Sequence, residues 1–387
     1  MIAAKDFYLI RTPLLPLRFL DQFNNISWPQ LHEKIRHIFT EPYLLEAIYI
    51  ASPELHQELL KWQAGHLTDE KDVNKLVSAL FRYLLRMCTR CTPYGLFAGC
   101  ATGRFDQFTR VVLGPMGEHK KHCRLDMNYV AELAAMITRI PAVQQQLVYF
   151  PNNSLYRMGD TYRYAAFTIK NKFRHYDLTS VICTEYLEKI IRTAAPGATL
   201  STLYQCIIDD EITEAEAKEF IDELIDSQIL LSELEPTVTG EEFFNSLTNR
   251  LAALQHTAAL TDTLNKIQEL LLSPAANTDK YLQTHALVKE LLPDTRSKDL
   301  VQTDLFLSTT HNTISHTLMA DLQQQLLPLW KLTRPNNNPD LQQFCNAFRG
   351  RYEEQEVPLA IVLDAETGIG YAGHTGGQTD HTPLIDD

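Results

Sequence analysis

Three arginines spaced four residues apart carry the clearest chemical signal in this sequence. Arg82, Arg86 and Arg90 lie in an apolar stretch that ends in Thr92-Pro-Tyr-Gly, and no acidic residue stands four positions from any of them. If a helix continues to residue 90, all three guanidinium groups lie along one face. Guanidinium groups bind phosphate or carboxylate in paired hydrogen bonds, so the row favours an anionic ligand over a solvated basic face.

Two cysteines within this stretch raise the alternative of a metal site. Cys88 and Cys91 have the two-residue gap that zinc ligands often use, with Cys100 and Cys123 further along. No second pair with that gap follows, and the later spacings are irregular. Ordinary buried thiols explain the cysteines better, and we expect no metal.

Three charged residues interrupt apolar segments elsewhere. Arg11 follows the β-forming stretch FYLI, and Asp126 precedes a helical pattern, where it could act catalytically or simply cap the helix. Asp304 interrupts the predicted strand LVQTDLFL on the same face as Gln302 and Phe306. A carboxylate buried there needs a cationic partner.

Charge is distributed unevenly along the chain. The net charge of −13 argues by itself against a nucleic-acid partner. Residues 82–124, however, hold eight basic and two acidic residues, a net charge of +6. Besides the arginine row, this segment contains Arg104, Lys120 and Lys121, so the distribution of charge keeps a nucleic-acid partner open.

The composition also bears on location. No uncharged apolar run approaches the roughly 18 residues that a membrane span needs. The seven cysteines are odd in number and lack a regular spacing, which indicates reduced thiols. We therefore expect no membrane span and a cytoplasmic location.

The segment 150–235 has the pattern of a small winged-helix-like unit. A hairpin over 150–169 turns at Gly159-Asp160, and the segment ILLSEL predicts a closing strand. Between them lie three helical patterns, at 177–193, 199–208 and 213–227.

The third helix of this segment indicates a peptide partner. It is strongly acidic, which excludes DNA reading, and Thr213 with Glu216 predicts a capping box at its start. An apolar seam could accept an extended peptide by strand addition, or could be plain core packing. The predicted peptide-binding residues are Tyr164 and Phe167 on the hairpin and Phe220 and Leu224 on the helix.

The fold class that these patterns predict is α+β, a mixed fold of several subdomains with an embedded winged-helix-like unit for peptide recognition. The predicted domains are 1–149, 150–235 and 236–387. The last of them should contain a helical pair within 241–293, strands at 300–307 and 357–363, and helices near 313–331 and 339–350.

Several segments together resemble lantibiotic dehydratases. FRYLLRMCTRCTPYGLFAGCATGRF is similar to the signature segment of that family, and FYLIRTPLLP to its N-terminal motif. NNSLYRMGDTYRY, LVQTDLFLS and FRGRYEEQEVPLAIVLDAETGIGY agree in order, so the resemblance runs from residue 7 to about residue 371. The family usually has Ser and Pro where this chain has Cys88 and Cys91, which further weakens the metal alternative.

The resemblance implies an enzyme of glutamyl transfer. In the family, the N-terminal half takes glutamate from glutamyl-tRNA and esterifies Ser and Thr of a precursor peptide, and a separate domain then eliminates it. Glutamyl-tRNA is the co-substrate and no cofactor is implied. The family roles would place Arg11, Arg86, Arg90, Thr92, Asp126 and Asp304 in the catalytic site and Arg82, Arg104, Lys120 and Lys121 along the tRNA.

The resemblance further implies that 150–235 binds the leader of the precursor peptide, and it leaves a homodimer open. It also implies that the chain covers only part of the glutamylation domain, so we expect the isolated chain to be inactive. Two other classes stay open: a non-catalytic module that binds leader peptide or RNA, and a zinc-dependent regulator built around Cys88 and Cys91.

Overall fold

The chain folds into two compact units of helices and strands in a computed structural model. The structure describes residues 5–170, 173–237, 239–296, 299–333, 338–365 and 367–371. Unit 1 contains residues 1–143 and 236–330, and unit 2 contains residues 144–235 and 331–387. The predicted division into three domains stays a prediction.

Unit 1 is built on a six-stranded mixed sheet in which β2 pairs with β1 along one edge and with β11 and β12 along the other. β4 then pairs with β11, and β3 with β12, both antiparallel. The strands are β1 (Phe7–Pro13), β2 (Ala98–Asp106), β3 (Arg110–Leu113), β4 (Lys120–Leu125), β11 (Val301–Phe306) and β12 (Thr309–Ser315).

Helices cover one face of this sheet because their apolar residues recur at helical spacing. The main core joins the first four helices to Ala101, Leu305 and Leu307 of the sheet side. The described helices that begin in unit 1 are α1 (Trp28–Ile38), α2 (Pro42–Ala51), α3 (Pro53–Gln63), α4 (Glu70–Thr89), α5 (Met127–Thr138), α6 (Pro141–Gln144), α10 (Phe243–Ala252), α11 (Ala258–Leu272), α12 (Asp279–Leu291) and α13 (His316–Leu332). The last residues of α6 and α13 fall within unit 2.

Unit 2 has two three-stranded sheets, of order β6-β7-β8 and β10-β5-β9. The predicted hairpin turn is confirmed, with Gly159 at φ +56°, and so is the capping box of Thr213 and Glu216. The elements are β5 (Val148–Pro151), β6 (Tyr156–Met158), β7 (Thr161–Lys170), β8 (Phe173–Ile182), α7 (Glu185–Ala194), β9 (Ala198–Thr199), α8 (Leu200–Ile207), α9 (Glu214–Asp226), β10 (Leu230–Ser232), α14 (Pro339–Tyr352) and α15 (Leu359–Leu363).

The mixed α and β class is confirmed, whereas the winged-helix-like detail stays a prediction. Four predicted elements are wrong in type or extent. The first parts of the predicted helices 177–193 and 313–331 are the strands β8 and β12, because pairing with β7 and with β2 and β3 outweighs the helical spacing. Residues 241–293 form three helices instead of two, and the predicted strand 357–363 is the short helix α15.

Among the described residues, no helix is both long and apolar enough to cross a membrane.

Candidate functional site

The sheet of unit 1 has one exposed face, which carries both charged and apolar side chains. Side chains alternate between the two faces of a strand, and the register brings Arg11, Cys100, Phe306 and Lys120 into one row across β1, β2, β11 and β4. Arg11, Phe306 and Lys120 are all exposed. We call this side of the sheet, which faces away from the helical core, the open face.

Asp304 lies on the open face and has the cationic partner that its position called for. Arg124 Nη1 donates a hydrogen bond of 2.8 Å to Asp304 Oδ2. The Asp304 side chain is 49% exposed, so this carboxylate is not buried as the strand pattern suggested. Asp304 Oδ1 accepts no hydrogen bond from any residue that the structure describes.

Asp126 caps α5, which is the structural alternative considered from its sequence. Asp126 Oδ1 accepts from the backbone N–H of Asn128 at 2.9 Å. Its other oxygen, Oδ2, accepts from Gln302 Nε2 at 2.5 Å. Both oxygens of Asp126 are therefore engaged, unlike those of Asp304.

Arg124 and Gln302 connect the two carboxylates. Arg124 Nη2 donates to Gln302 Oε1 at 3.3 Å, which completes a continuous path from Asp304 to Asp126. Glu242 stands 4.0 Å from Arg124 Nη1, and its Oε1 lies 3.2 Å from His122 Nε2. The open face thus carries an ordered polar cluster at the β4–β11 pair.

The arginine row does not form one continuous helical face. α4 ends at Thr89, so Arg90 is the extended C-cap residue and Thr92 lies in the following turn. Arg86 stacks on Tyr94, with its guanidinium carbon 4.2 Å from the ring centroid, and its buried Nε has no hydrogen-bond partner among the described residues. Leu15 N–H donates to Met87 O, which holds the end of α4 beside the segment that follows β1.

The basic side chains of this region differ in whether they are paired. In the described part of the chain, no ion pair engages Arg11, Arg82, Arg86 or Arg90. Arg82 is exposed beside a surface groove that is lined by both acidic and basic residues, Asp69, Glu70, Lys71 and Lys75 among them. Arg104, on β2, is exposed on the open face with Lys120.

Lys121 does not fit the predicted tRNA contact. Consecutive strand residues point to opposite faces, so Lys121 points into the core when Lys120 points outward. Its side chain is 5% exposed and donates a 2.7 Å hydrogen bond to Glu46, which Lys280 also approaches at 3.3 Å. Tyr281 OH donates to the same carboxylate at 2.8 Å, and burial strongly raises the pKa of Tyr281.

The cysteines lie in different environments, some buried and some exposed. All seven are free, and Cys88 is buried whereas Cys91 is exposed. Burial raises the pKa of the Cys88 thiol to about 11, which disfavours the thiolate that zinc requires. Within the residues described, no group of three or more metal-ligating side chains is assembled.

Two of the predicted peptide-binding residues belong to the core of unit 2. Tyr164 and Leu224 are buried, and the Tyr164 hydroxyl donates to Ser227 O. Phe167 and Phe220 are half-buried. Gln228 closes the β7 edge at Phe167, because its side chain accepts from Phe167 N–H at 2.9 Å and donates to Phe167 O at 2.8 Å.

Sequence reasoning missed four members of the polar cluster: His122, Arg124, Gln302 and Glu242. Lys120, His122 and Arg124 alternate in the sequence, as do Gln302 and Asp304, which is the pattern of a polar strand face. The pattern alone does not show that these two strands are neighbours in the sheet. Glu242 lies just before α10 and carries no sequence signal that we recognise.

The fold is similar to two solved structures. MibB, a tRNA dependent lantibiotic dehydratase from Microbispora sp. 107891, matches with a TM-score of 0.77 at 20% identity, over 97% of this chain and 37% of its own. The glutamylation domain TbtB from thiomuracin biosynthesis, bound to 5'-phosphodesmethylglutamycin, matches with a TM-score of 0.59 at 16% identity, over 85% and 41%. At these identities the likeness shows a shared fold.

The family follows from the sequence match. Residues 40–384 match the family described as lantibiotic dehydratase, N terminus, and the chain belongs to it. A curated relative, the epidermin biosynthesis protein EpiB of Staphylococcus epidermidis, is 26% identical over 383 residues, which is 96% of this chain. The chain spans 37% of the length of that relative. The resemblance inferred from the sequence is thus confirmed.

Proposed function

We propose that this chain forms part of a glutamylation site, which moves glutamate from glutamyl-tRNA to Ser and Thr side chains of a ribosomally made precursor peptide. Membership of the lantibiotic dehydratase family supports the proposal, as does the fold shared with the TbtB glutamylation domain. Glutamyl-tRNA is the co-substrate, and the reaction needs no cofactor. The polar cluster and the end of α4 supply its binding groups.

The observation that best supports the proposal is the guanidinium of Arg86, which is held in place without an ion-pair partner among the described residues. A buried donor without a partner costs roughly 1–3 kcal/mol, and Arg86 Nε is such a donor. Tyr94 holds the guanidinium plane, so the remaining N–H groups are oriented before any ligand arrives. An anionic group, such as a phosphate or carboxylate of an aminoacylated RNA end, can bind the terminal nitrogens of this guanidinium.

The chemical reason for such a transfer is leaving-group quality. Water has a pKa of about 15.7, whereas an α-carboxyl group has a pKa of roughly 3.5. Hydroxide therefore leaves poorly from Ser or Thr, and an esterified glutamate leaves easily as a carboxylate. Glutamyl transfer in this chain would prepare a dehydration that other residues complete.

The test is direct binding of glutamyl-tRNA to the chain at several salt concentrations, beside uncharged tRNA and a duplex RNA. We expect Arg86→Ala and Arg90→Ala each to weaken binding and to reduce the salt slope by about one unit. Arg36→Ala is the matched control, because its guanidinium donates to Trp62 O and Gln63 O elsewhere in unit 1. Slopes unchanged in both site variants would contradict the proposal.

A second candidate function is recognition of the leader peptide by unit 2. The observation that favours it is the outer edge of β8, which pairs with no strand among the described residues and carries exposed Tyr176 and Leu178. A leader could add there as a further strand. The β7 edge is less accessible, since Gln228 occupies it at Phe167.

Measuring leader-peptide binding to two variants shows which of these two edges is used. Leu178→Asp should weaken binding of a leader peptide if the β8 edge is used, because it places charge in an apolar strand contact. Gln228→Ala should instead strengthen binding if the β7 edge is used, because it uncovers the backbone groups of Phe167. A leader that binds both variants like the wild type would rule out strand addition on this sheet.

A further inference from the structure

The two aspartates of the polar cluster on the open face are held by the same pair of side chains. Asp126 and Asp304 lie on different elements, yet one arginine and one amide connect them through three hydrogen bonds of 2.5–3.3 Å. We call Arg124 and Gln302 the bridge. Both side chains are at least partly accessible, so the bridge borders the space that a ligand would occupy.

We propose that the bridge is a positioning device that aims the free oxygen of Asp304 at the ammonium group of an aminoacyl ester. The inference rests on the proposed function and deepens it, because it assigns recognition of the amino acid, as opposed to the RNA, to named residues. Arg124 and Gln302 act through Asp304 and need not touch the ligand themselves.

The geometry requires an arginine at position 124. Its two terminal nitrogens donate in different directions, one to Asp304 Oδ2 and the other to Gln302 Oε1. A lysine offers a single nitrogen and cannot hold the same two acceptors in a fixed plane. Glu242, 4.0 Å from Arg124 Nη1, adds a second anion on the same side and restrains the guanidinium.

The amide at position 302 is equally specific. Its oxygen accepts from Arg124 while its nitrogen donates to Asp126, so it joins a donor to an acceptor. Asp126 is in turn fixed by the first turn of α5 through Asn128 N–H. The bridge thereby links Asp304, on β11, to the first turn of α5.

The consequence is that, of the two aspartates, only Asp304 keeps a carboxylate oxygen for a ligand. Asp126 has both oxygens occupied, and Asp304 has Oδ2 occupied by Arg124. Asp304 Oδ1 is free among the described contacts and lies on the face that also carries unpaired Arg11 and Lys120. A carboxylate beside cations suits a zwitterionic ester, whose ammonium pairs with Asp304 and whose anionic groups pair with the cations.

The experiment compares the affinity of the chain for three probes: glutamyl-tRNA, N-acetylglutamyl-tRNA and uncharged tRNA. The wild type should bind glutamyl-tRNA more tightly than the other two. Arg124→Gln should reduce that preference by about tenfold while leaving the affinity for uncharged tRNA within about twofold. Arg139→Gln removes the same charge at an exposed residue of unit 1 without a described side-chain contact, and it should keep the preference.

Three further variants keep the test decisive. Arg124→Lys retains the charge and Gln302→Met retains the size, and both should lose most of the preference, so a folding failure of Arg124→Gln does not end the test. Asp304→Asn should also lose it, and adding Arg124→Gln to Asp304→Asn should cause little further loss.

The outcomes are separable. If the wild type prefers glutamyl-tRNA and the bridge variants keep that preference, the bridge has no positioning role and the proposed function stands. If the wild type does not distinguish glutamyl-tRNA from uncharged tRNA, the proposed function fails and the inference fails with it. A parallel loss of affinity for all three probes would show a merely structural role and would overturn the inference.

Discussion

At the scale of single residues, burial separates side chains that look equivalent in the sequence. Lys120 and Lys121 are adjacent and carry the same charge, yet Lys120 is exposed on the open face and Lys121 is held by Glu46 in the core. Arg86 and Arg82 are one helical turn apart, yet only Arg86 is oriented by an aromatic ring. Charge alone therefore does not identify a ligand contact.

The two lysines should respond differently to the same substitution. We expect Lys120→Gln to lower the salt slope of tRNA binding by about one unit, because an exposed cation releases a counterion when it meets a phosphate. Lys121→Gln should leave the slope unchanged and alter only stability. Equal changes in slope, measured by salt titration of both variants, would contradict the placement of these side chains.

Glu46 compensates two buried ammonium groups. Removing it by Glu46→Gln leaves Lys121 and Lys280 close together without a counter-ion, and breaking a buried ion pair in this way costs about 3–5 kcal/mol. Urea unfolding should show the loss. Glu58→Gln is the control, because its pair with Lys61 is exposed and should contribute under about 1 kcal/mol.

At the scale of elements, a buried carboxylate fastens α15 to the hairpin of unit 2. Asp364 is fully buried and accepts from Arg163 at 2.8 Å and from the Tyr156 hydroxyl at 2.6 Å. Its other oxygen accepts from Thr367. Arg163 and Asp364 are 201 positions apart, so this attachment joins parts of unit 2 that are distant along the chain.

The pH dependence of this attachment has a definite sign. Burial by itself would raise the pKa of Asp364, but hydrogen bonds from Tyr156, Thr367 and Arg163 outweigh it and hold the pKa well below its usual range. A lowered carboxylate pKa stabilises the fold above the unfolded value of about 3.9. This stabilisation is lost as the pH falls through the folded-state pKa.

Asp364→Asn should therefore speed hydrogen exchange of the β6 and β7 amides at pH 7. The free energy of opening that this exchange measures should fall by about 3–5 kcal/mol. The difference from the wild type should shrink below about pH 4. Arg157→Gln is the control on the same hairpin, because its ion pair with Glu188 is largely exposed. A difference that persists unchanged at low pH would exclude the ionised carboxylate as its cause.

At the scale of the whole molecule, charge is divided between an acidic majority and one basic segment. The chain carries −13 overall, whereas residues 82–124 carry +6. Because RNA association is driven by local cation density, binding should be confined to that segment even though the molecule as a whole repels RNA.

Photo-crosslinking of 4-thiouridine-labelled tRNA to the chain tests this confinement. Peptides from residues 82–124 should dominate the crosslinks identified by mass spectrometry, and the acidic helix α9 should give none. Crosslinks concentrated on α9, or spread evenly over the chain, would show that the charge distribution does not direct the RNA.

The sequence by itself determined the elements and their order where local pattern and final structure agree. The long helix α4, the capping box of α9 and the hairpin turn at Gly159 all follow from short-range spacing and turn chemistry. The family also followed from the sequence, because motif segments retain residue order without reference to contacts. Position 304 was correctly placed on one strand face with Gln302 and Phe306.

Tertiary structure alone decided which of these residues meet. Gln302 and Arg124 are 178 positions apart, and only the pairing of β11 with β4 brings them together. The same pairing assigns Lys121 to the core, and pairing with β2 and β3 makes residues 309–315 a strand. The physical reason is that strand partners, burial and hydrogen-bond completion depend on contacts distant in sequence, and these outweigh local propensity wherever the two disagree.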